Sequence, residues 1–362
     1  MRTIKKSELI RFSTRIFMAC GVPEQQAFEQ SMVLVAADAR GIPSHGIVRL
    51  PRYVAGLQQG SMIPGAQPEV IKETPVSLLV DAGGGLGAPA SIAVMKRVID
   101  KARLSGMSFA VVRNSNHFGI AGYYAMMALP HDMIGLAMTN TAALGVPTNA
   151  KQVMFGTNPI AFAAPGLEEK AFVLDMSTTA VTRGKIETFA RLGKPLPRGW
   201  AVDRDGTSAS NANALLDDML QRSGGGLVPL GGDDEIHAGY KGYGLGVMVD
   251  ILTGVLSGGL FGQQVADTEA TSARVSHCFA AMKIDMFQKP EEFKKNMDSM
   301  LKALRTAEPA KGKARVYYAG QKEYEAEEEA LKFGIRLDDT TFHMLTNLGR
   351  EFDIKLEEFL FY

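Results

Sequence analysis

Apolar residues recur at helical spacing from Lys6 to Cys20 (Leu9, Ile10, Phe12, Ile16, Phe17), with Ser7 placed as an N-cap and Gly21 as a stop. A second helix is predicted over Gln25 to Arg40, opened by Pro23 and broken by Gly41 and Pro43. From Ser44 to Gly60 the pattern is again helical, although Pro51 marks an irregular start or a kink. On such a helix His45, Arg49 and either Arg52 or Tyr53 share one face. This helical module ends near Pro64.

Beyond it the pattern changes to short aliphatic and β-branched runs bounded by glycine, proline or asparagine. Strands are predicted at Val76 to Val80, Ser108 to Val112, Ile134 to Met138, Ile160 to Ala163, Ala171 to Leu174 and, late in the chain, Cys278 to Ile284. Helices are predicted at Pro89 to Leu104, Gly122 to Leu129, Pro290 to Ala307, Glu323 to Phe333 and Asp339 to about Glu351. Asp203 to Gly206 reads as a turn in a polar loop that runs on to Pro229. The apolar stretch Gly242 to Gly262 approaches bilayer-spanning length, but Asp250 at its centre and its seven glycines make it a closely packed, buried helix instead.

Together these elements predict an α/β chain of the α+β kind: a helical N-terminal domain over residues 1–72, then a mixed-sheet cofactor and substrate domain over 73–362 with C-terminal helices. Segment 240–275 is a candidate to pack back on the N-terminal helices. Lysine plus arginine equals aspartate plus glutamate, 39 each, so no net field exists to hold nucleic acid or an acidic membrane surface. Two cysteines, Cys20 and Cys278, are too few for a disulfide framework and suit a reducing compartment. The basic start MRTIKKSEL lacks the apolar core of a signal peptide, and the expected location is the cytoplasm.

Val80 to Ala88 (VDAGGGLGA) follows a strand, precedes a helix and formally matches the dinucleotide fingerprint. The next strand, however, ends Val111-Val112-Arg113-Asn114, without the carboxylate that would accept ribose hydroxyls, and a tight glycine turn is the better reading. Ser44-His45-Gly46-Ile47-Val48-Arg49 has chemical content: a planar cation suits a carboxylate, and an imidazole titrates nearest neutrality. Spacing alone favours the plainer reading, a capping histidine and a solvated arginine. Asn114 to Gly119 (NSNHFG) puts polar side chains at a strand end, and Gly119 to Gly122 offers small residues that a cofactor could approach. Asp175, Met176, Ser177 and Thr178 follow another strand and are candidates for ribose or pyrophosphate, with Lys185, Lys241 and Gly242 as phosphate partners. His131, His237, His277 and His343 have no partner at metal-ligand spacing, so no metal site is expected.

Taken in order, SHGIVRLPRY (44–53), NSNHFGIAGYY (114–124), FGTNPIAFAAP (155–165), LDMSTT (174–179), RGKIE (183–187), GWAVDRDG (199–206), PLGG (229–232) and KGYGLGVMVDIL (241–252) resemble the malate/L-lactate dehydrogenase family. That family also includes sulfolactate, ureidoglycolate and diketogulonate dehydrogenases and cyclic imino-acid reductases. The resemblance implies a non-Rossmann cofactor domain, a homodimer, and a nicotinamide cofactor, NAD with NADP as an alternative. It implies a small 2-hydroxy/2-keto acid as substrate, with malate/oxaloacetate preferred over L-lactate, sulfolactate or ureidoglycolate. In it, His45 assisted by Ser44 is the proton donor to the carbonyl, Arg49 the carboxylate clamp, and His117 a second acid/base candidate. Asn114 and Thr157 are expected at the substrate. His117, Gly119, Gly122, Asp175 to Thr178, Lys185, Lys241, Gly242, Gly320 and Gln321 are expected at the cofactor. Two positions depart from the family pattern: Ala319 precedes Gly320 where proline is common, and Lys185 stands near the aspartate of the imino-acid reductases, which argues against that branch. A non-catalytic homologue that binds a small molecule is the alternative of another class.

Overall fold

The structure is a computed structural model that describes residues 2–268 and 271–359. Strand β1 (Arg2–Ile4) leads into helices α1 (Lys6–Ala19) and α2 (Glu24–Ala39), two 3-10 turns (Pro43–His45 and Ile47–Arg49) and α3 (Leu50–Gln58). There follow β2 (Glu69–Thr74), β3 (Ser77–Asp81), α4 (Gly87–Ser105), β4 (Met107–Ser115), α5 (Ala121–Met126), β5 (Met133–Thr139), β6 (Ile160–Ala164) and β7 (Phe172–Met176). A small unit comes next, made of α6 (Arg183–Arg191), β8 (Ala201–Val202), α7 (Ala212–Gln221) and β9 (Gly226–Leu227). The chain closes with α8 (Gly239–Asp250), β10 (Val275–Lys283), α9 (Pro290–Arg305), α10 (Gln321–Phe333), β11 (Ile335–Leu337) and α11 (Asp339–Glu351).

Seven strands form one mixed sheet in the order β2-β3-β4-β10-β5-β6-β7, in which only β3 and β4 run parallel. Alternation along each strand sorts its side chains between two layers. On β10, Phe279 and Ala281 join Ala110, Val112 and Ala137 beneath α4 and α5, while Cys278 turns to the opposite face with Met138 and α8's Val249. A separate core gathers α1, α2 and α3 with β11 and α11, so the last stretch of the chain completes the N-terminal helical layer. Segment 240–275 packs mainly on the sheet, against β4, β5 and β10, and meets the N-terminal helices through the Asp267–Arg52 contact.

The six predicted strands all form, because each carries a buried alternating face. β2 escapes a hydrophobic pattern because it is an edge strand, EVIKET, whose side chains are largely exposed. Helix α7 lies inside the predicted polar loop; Asn211 caps it by accepting the Ala214 N–H at 3.1 Å, and Leu215 and Met219 bury its inner face. Ser7 does not cap α1: Lys5 takes that position and makes no side-chain cap. The predicted Gly242 to Gly262 helix ends early, passing from α8 into a π-helical stretch at Ile251–Val255. It is also only half-buried, with Ile251, Val255 and Leu256 exposed on its outer side.

Gly242 lies where α8 crosses the preceding loop, and a Cβ there would sit 2.2 Å from the Leu230 carbonyl oxygen. Gly242→Ala is therefore expected to cost ~1–3 kcal/mol, the usual penalty for overpacking, and to lower the thermal midpoint by several degrees. A thermal or urea melt superimposable on that of the unaltered protein would refute the close packing.

Candidate active site

The segment between α2 and α3 is shaped by one carboxyl group. Near the end of α2, Asp38 accepts the backbone N–H of Ile47 at 2.7 Å. Between the two lies Gly46 in an extended conformation (φ −89°, ψ −150°). A Cβ on Gly46 would come within 2.1–2.5 Å of the Asp38 carboxyl atoms, so only glycine fits. The helix expected from Ser44 to Gly60 has the irregular start that Pro51 announced: two 3-10 turns precede α3, which carries Pro51 in its first turn.

The irregular start turns His45 and Arg49 toward one cavity of about 360 Å³. Arg49 Nε donates to the Ser44 carbonyl at 2.6 Å, which fixes the guanidinium and leaves its terminal nitrogens to a ligand. The Ser44 hydroxyl lies 3.0 Å from His45 Nδ1. The His45 ring stacks on His117, 5.6 Å between centroids and 24° between planes. The Tyr53 hydroxyl is 2.6 Å from His117 Nδ1, and the Gly119 N–H approaches the same nitrogen at 3.4 Å. With Nδ1 accepting, the ring proton is assigned to Nε2. Behind His117, Phe118 lies flat on His277, whose two nitrogens bond Thr139 and Ser115 at 2.8 Å each.

Burial dominates the electrostatics. It pushes His45 down to about 4, with the Arg49 charge acting in the same direction. It holds His117 well below the usual imidazole range, helped by His45, Arg52 and Arg49, and lowers His277 to about 3. Burial also raises Asp38 to about 7 against the Ile47 N–H, and Tyr53 to about 12. At neutral pH all three imidazoles are uncharged beside fixed guanidinium groups. The arrangement suits an anion, and an anion on Arg49 would cancel the charge that disfavours a proton on His45.

A second cavity, of about 270 Å³, opens on the other side of the segment 117–122, which borders both. Asp175 lies in it and accepts the Gly122 N–H at 2.7 Å. Arg40 lines it too, paired with Glu327 at 2.9 Å and lying over the Tyr324 ring at 4.5 Å. Gly320, at φ +94°, also lines it, and a Cβ there would meet Val173 at 3.0 Å. Its neighbour Gln321 keeps Oε1 buried without a partner.

Of the residues expected at the site, Ser44, His45, Arg49, His117, Gly119 and Thr157 line the first cavity. Gly122, Asp175 and Gly320 line the second. Asn114 lines neither: its Nδ2 donates to Asp81 at 2.9 Å, beside the Arg113–Asp81 ion pair. Asn116 takes the place at the cavity wall, although its Nδ2 is spent on the carbonyls of Gly84 and Gly85 at 2.9 and 2.7 Å. These bonds, with Gly84 N–H donating to the Asn114 carbonyl at 2.8 Å, saturate the fingerprint-like glycine turn. Met176, Ser177, Thr178, Lys185, Lys241, Gly242 and Gln321 also lie outside both linings. Met176 pairs with Ile160 in the sheet, Ser177 and Thr178 bond backbone carbonyls, Lys185 lies over Trp200, and Lys241 lies near Tyr240. Asp38, Arg183 and Asp267 were not picked out from the sequence; each acts through a contact between segments distant in the chain or from a helix the pattern hid. Among the described residues no group of three His, Cys, Asp or Glu is arranged to hold a metal ion, and no helix is long and apolar enough to cross a membrane.

The family model for malate/L-lactate dehydrogenases matches residues 4–346. The chain is 40% identical over 352 residues to the malate dehydrogenase of Pyrococcus abyssi, covering 97% of this chain and 95% of that protein. It is 34% identical over 342 residues to the L-sulfolactate dehydrogenase of Methanocaldococcus jannaschii, covering 94% of each. Its fold superposes on the crystal structure of malate dehydrogenase from Entamoeba histolytica with a TM-score of 0.94, at 32% identity over 98% of both chains.

The burial of His45 predicts an imidazole that stays neutral in the free protein down to about pH 5 and takes a proton only near pH 4. Nitrogen-detected NMR of the histidine rings, assigned with His45→Gln, reads this directly. A His45 signal titrating between pH 6 and 7 would contradict the buried, arginine-flanked geometry.

Proposed function

Because the chain belongs to the malate/L-lactate dehydrogenase family, we propose that it interconverts a small 2-hydroxy acid and its 2-keto acid in the first cavity, with malate/oxaloacetate as the preferred pair. The observation that carries this reading is the convergence of a neutral His45 and a fixed Arg49 on one cavity. Arg49 orients the substrate carboxylate through its two terminal nitrogens, and His45 accepts the hydroxyl proton when the acid is oxidised. In the reverse direction the carboxylate on Arg49 offsets the guanidinium charge, so that an imidazolium at His45 can form and donate to the carbonyl oxygen. Ser44 holds the far nitrogen of that ring, and His117, stacked on it, is the second acid/base candidate.

The second cavity fits the adenosine end of a nicotinamide dinucleotide. It offers the Asp175 carboxyl to ribose hydroxyls, a close backbone approach at Gly122 and Gly320, and a buried, unpartnered Gln321 Oε1 beside it. When bound, the cofactor gives or takes hydride at C2 of the acid. NAD is the preferred cofactor over NADP, on the carboxyls of Asp175 and Glu323 that line this cavity; Arg40 is already paired with Glu327, and Lys322 is the lining cation left to meet a 2′-phosphate. The exposed apolar side chains Ile251, Val255 and Leu256 support a homodimer built on this face, and two free thiols suit the cytoplasm.

A steady-state panel of 2-keto acids against NADH and NADPH tests the reading, and turnover of none would end it. Replacing His45 by alanine is expected to cut turnover by ~10²–10⁴-fold while NADH binding, followed by fluorescence, persists. Near-normal turnover would transfer the role to His117. Arg49→Lys is expected to act mainly on KM, because an ammonium cannot reproduce the paired N–H fork. Since His45 titrates near 4, kcat/KM for oxidation should stay level from pH 8 to about 5 and fall below that as the base is protonated. For reduction, which needs the protonated ring, kcat/KM should rise about tenfold per pH unit as pH falls from 8 to about 4 and level off below that.

A further inference from the structure

The first cavity has guanidinium groups beyond the one that serves the carboxylate at the reacting carbon. Three guanidinium groups line it, those of Arg49, Arg52 and Arg183, against two carboxylates, Glu187 and Asp267. Arg183 is committed to Glu187, one turn along α6, at 2.9 Å. Arg49 is tied through Nε to the Ser44 carbonyl and serves the carboxylate next to the reacting carbon. Arg52 follows Arg49 by three residues, which brings the two side chains to within about 5–6 Å of each other at Cβ. That separation is comparable to the distance between the two ends of a four-carbon diacid. The contact of Arg52 with Asp267 is long, 3.4 Å, and both side chains are about half exposed, at 45% and 59%. Asp267 is in turn held by the Ala273 N–H at 2.9 Å, so it stays behind when Arg52 swings inward. The Arg52 charge already acts on the reacting centre, being among the groups that disfavour a proton on His117.

On the reading above, that this cavity takes a 2-keto acid, we propose that Arg52 binds a second, distal anionic group of the substrate and so sets the preference for dianionic over monoanionic acids. Asp267 is its placeholder: an internal carboxylate that neutralises the guanidinium in the empty site and yields to the substrate's distal group. A monoanion is balanced by Arg49 alone and gains nothing from Arg52. A dianion brings the charge that replaces Asp267 at a shorter, better-aligned contact. A carboxylate and a sulfonate share this chemistry, and both are anionic at neutral pH.

The test compares kcat/KM for oxaloacetate, 3-sulfopyruvate and pyruvate in the unaltered protein and in Arg52→Gln, Arg183→Gln and Asp267→Asn. Arg52→Gln is expected to lose about 10–100-fold with the two dianions, the order for one partner of a partly exposed charge pair, and to keep pyruvate reduction within about threefold. Retained pyruvate activity also shows that the variant is folded. Loss with oxaloacetate alone identifies the distal group as a carboxylate, and equal loss with both dianions leaves either acceptable to the arginine; each supports the proposal. Asp267→Asn should raise kcat/KM for the dianions only. Arg183→Gln should leave the ratio of dianion to monoanion as it is. Equal loss on all three acids in Arg52→Gln, an unchanged ratio there, or a collapsed ratio in Arg183→Gln instead, would overturn the assignment while leaving the dehydrogenase reading intact. Turnover of no 2-keto acid by the unaltered protein would overturn both.

Discussion

The hydrogen bond from the Ile47 N–H to Asp38, drawn tight across Gly46, is the contact on which the site depends. Together with Pro51 in the first turn of α3, it keeps residues 44–49 out of a regular helix. Were the helix continuous from Ser44, the Arg49 side chain could not fold back on the Ser44 carbonyl, and Tyr53 would not meet His117 from the start of α3. A single carboxyl, itself buried enough to hold a proton near neutrality, thereby places an imidazole, a guanidinium and a phenol around one cavity.

Low polarity at the cavity wall governs what those groups do. Three imidazoles lie close together with arginines at hand, and the cheapest arrangement is for all three to stay neutral. His277 takes no part at the cavity; with both nitrogens bonded, it forms a flat support on which Phe118 and the segment leading to Gly122 rest. Because the arginines cannot lose their charge, the site is set to respond to an arriving anion. Binding and proton transfer become linked through one electrostatic balance.

Close approach of backbone accounts for several glycines that invite a different reading. Gly84 and Gly85 donate their N–H groups to the carbonyls of Asn114 and Ala82, and Gly242 is pressed on Leu230, so these glycines serve close packing. Gly122 and Gly320 differ: they face a recess with a carboxyl at its wall. Glycine spacing cannot distinguish the two situations, because the absence of a side chain serves close packing and ligand approach equally.

The sequence by itself determined six of the seven strands of the central sheet and most of the helices, since burial on one face leaves a period of two or 3.6 that survives in a linear reading. It also singled out His45, Arg49 and His117, through motifs in a family order, and the fold brings these three to one cavity. It did not reveal edge strand β2 or helix α7, where exposure or polar composition erased the period. Nor could it show that Asn114 serves Asp81 while Asn116 stands at the wall, that Lys185 and Lys241 lie away from both cavities, or that Asp267 meets Arg52. Those facts were decided by the tertiary structure alone: a hydrogen bond or an ion pair between distant segments depends on where the fold brings two atoms, and no local pattern encodes that distance.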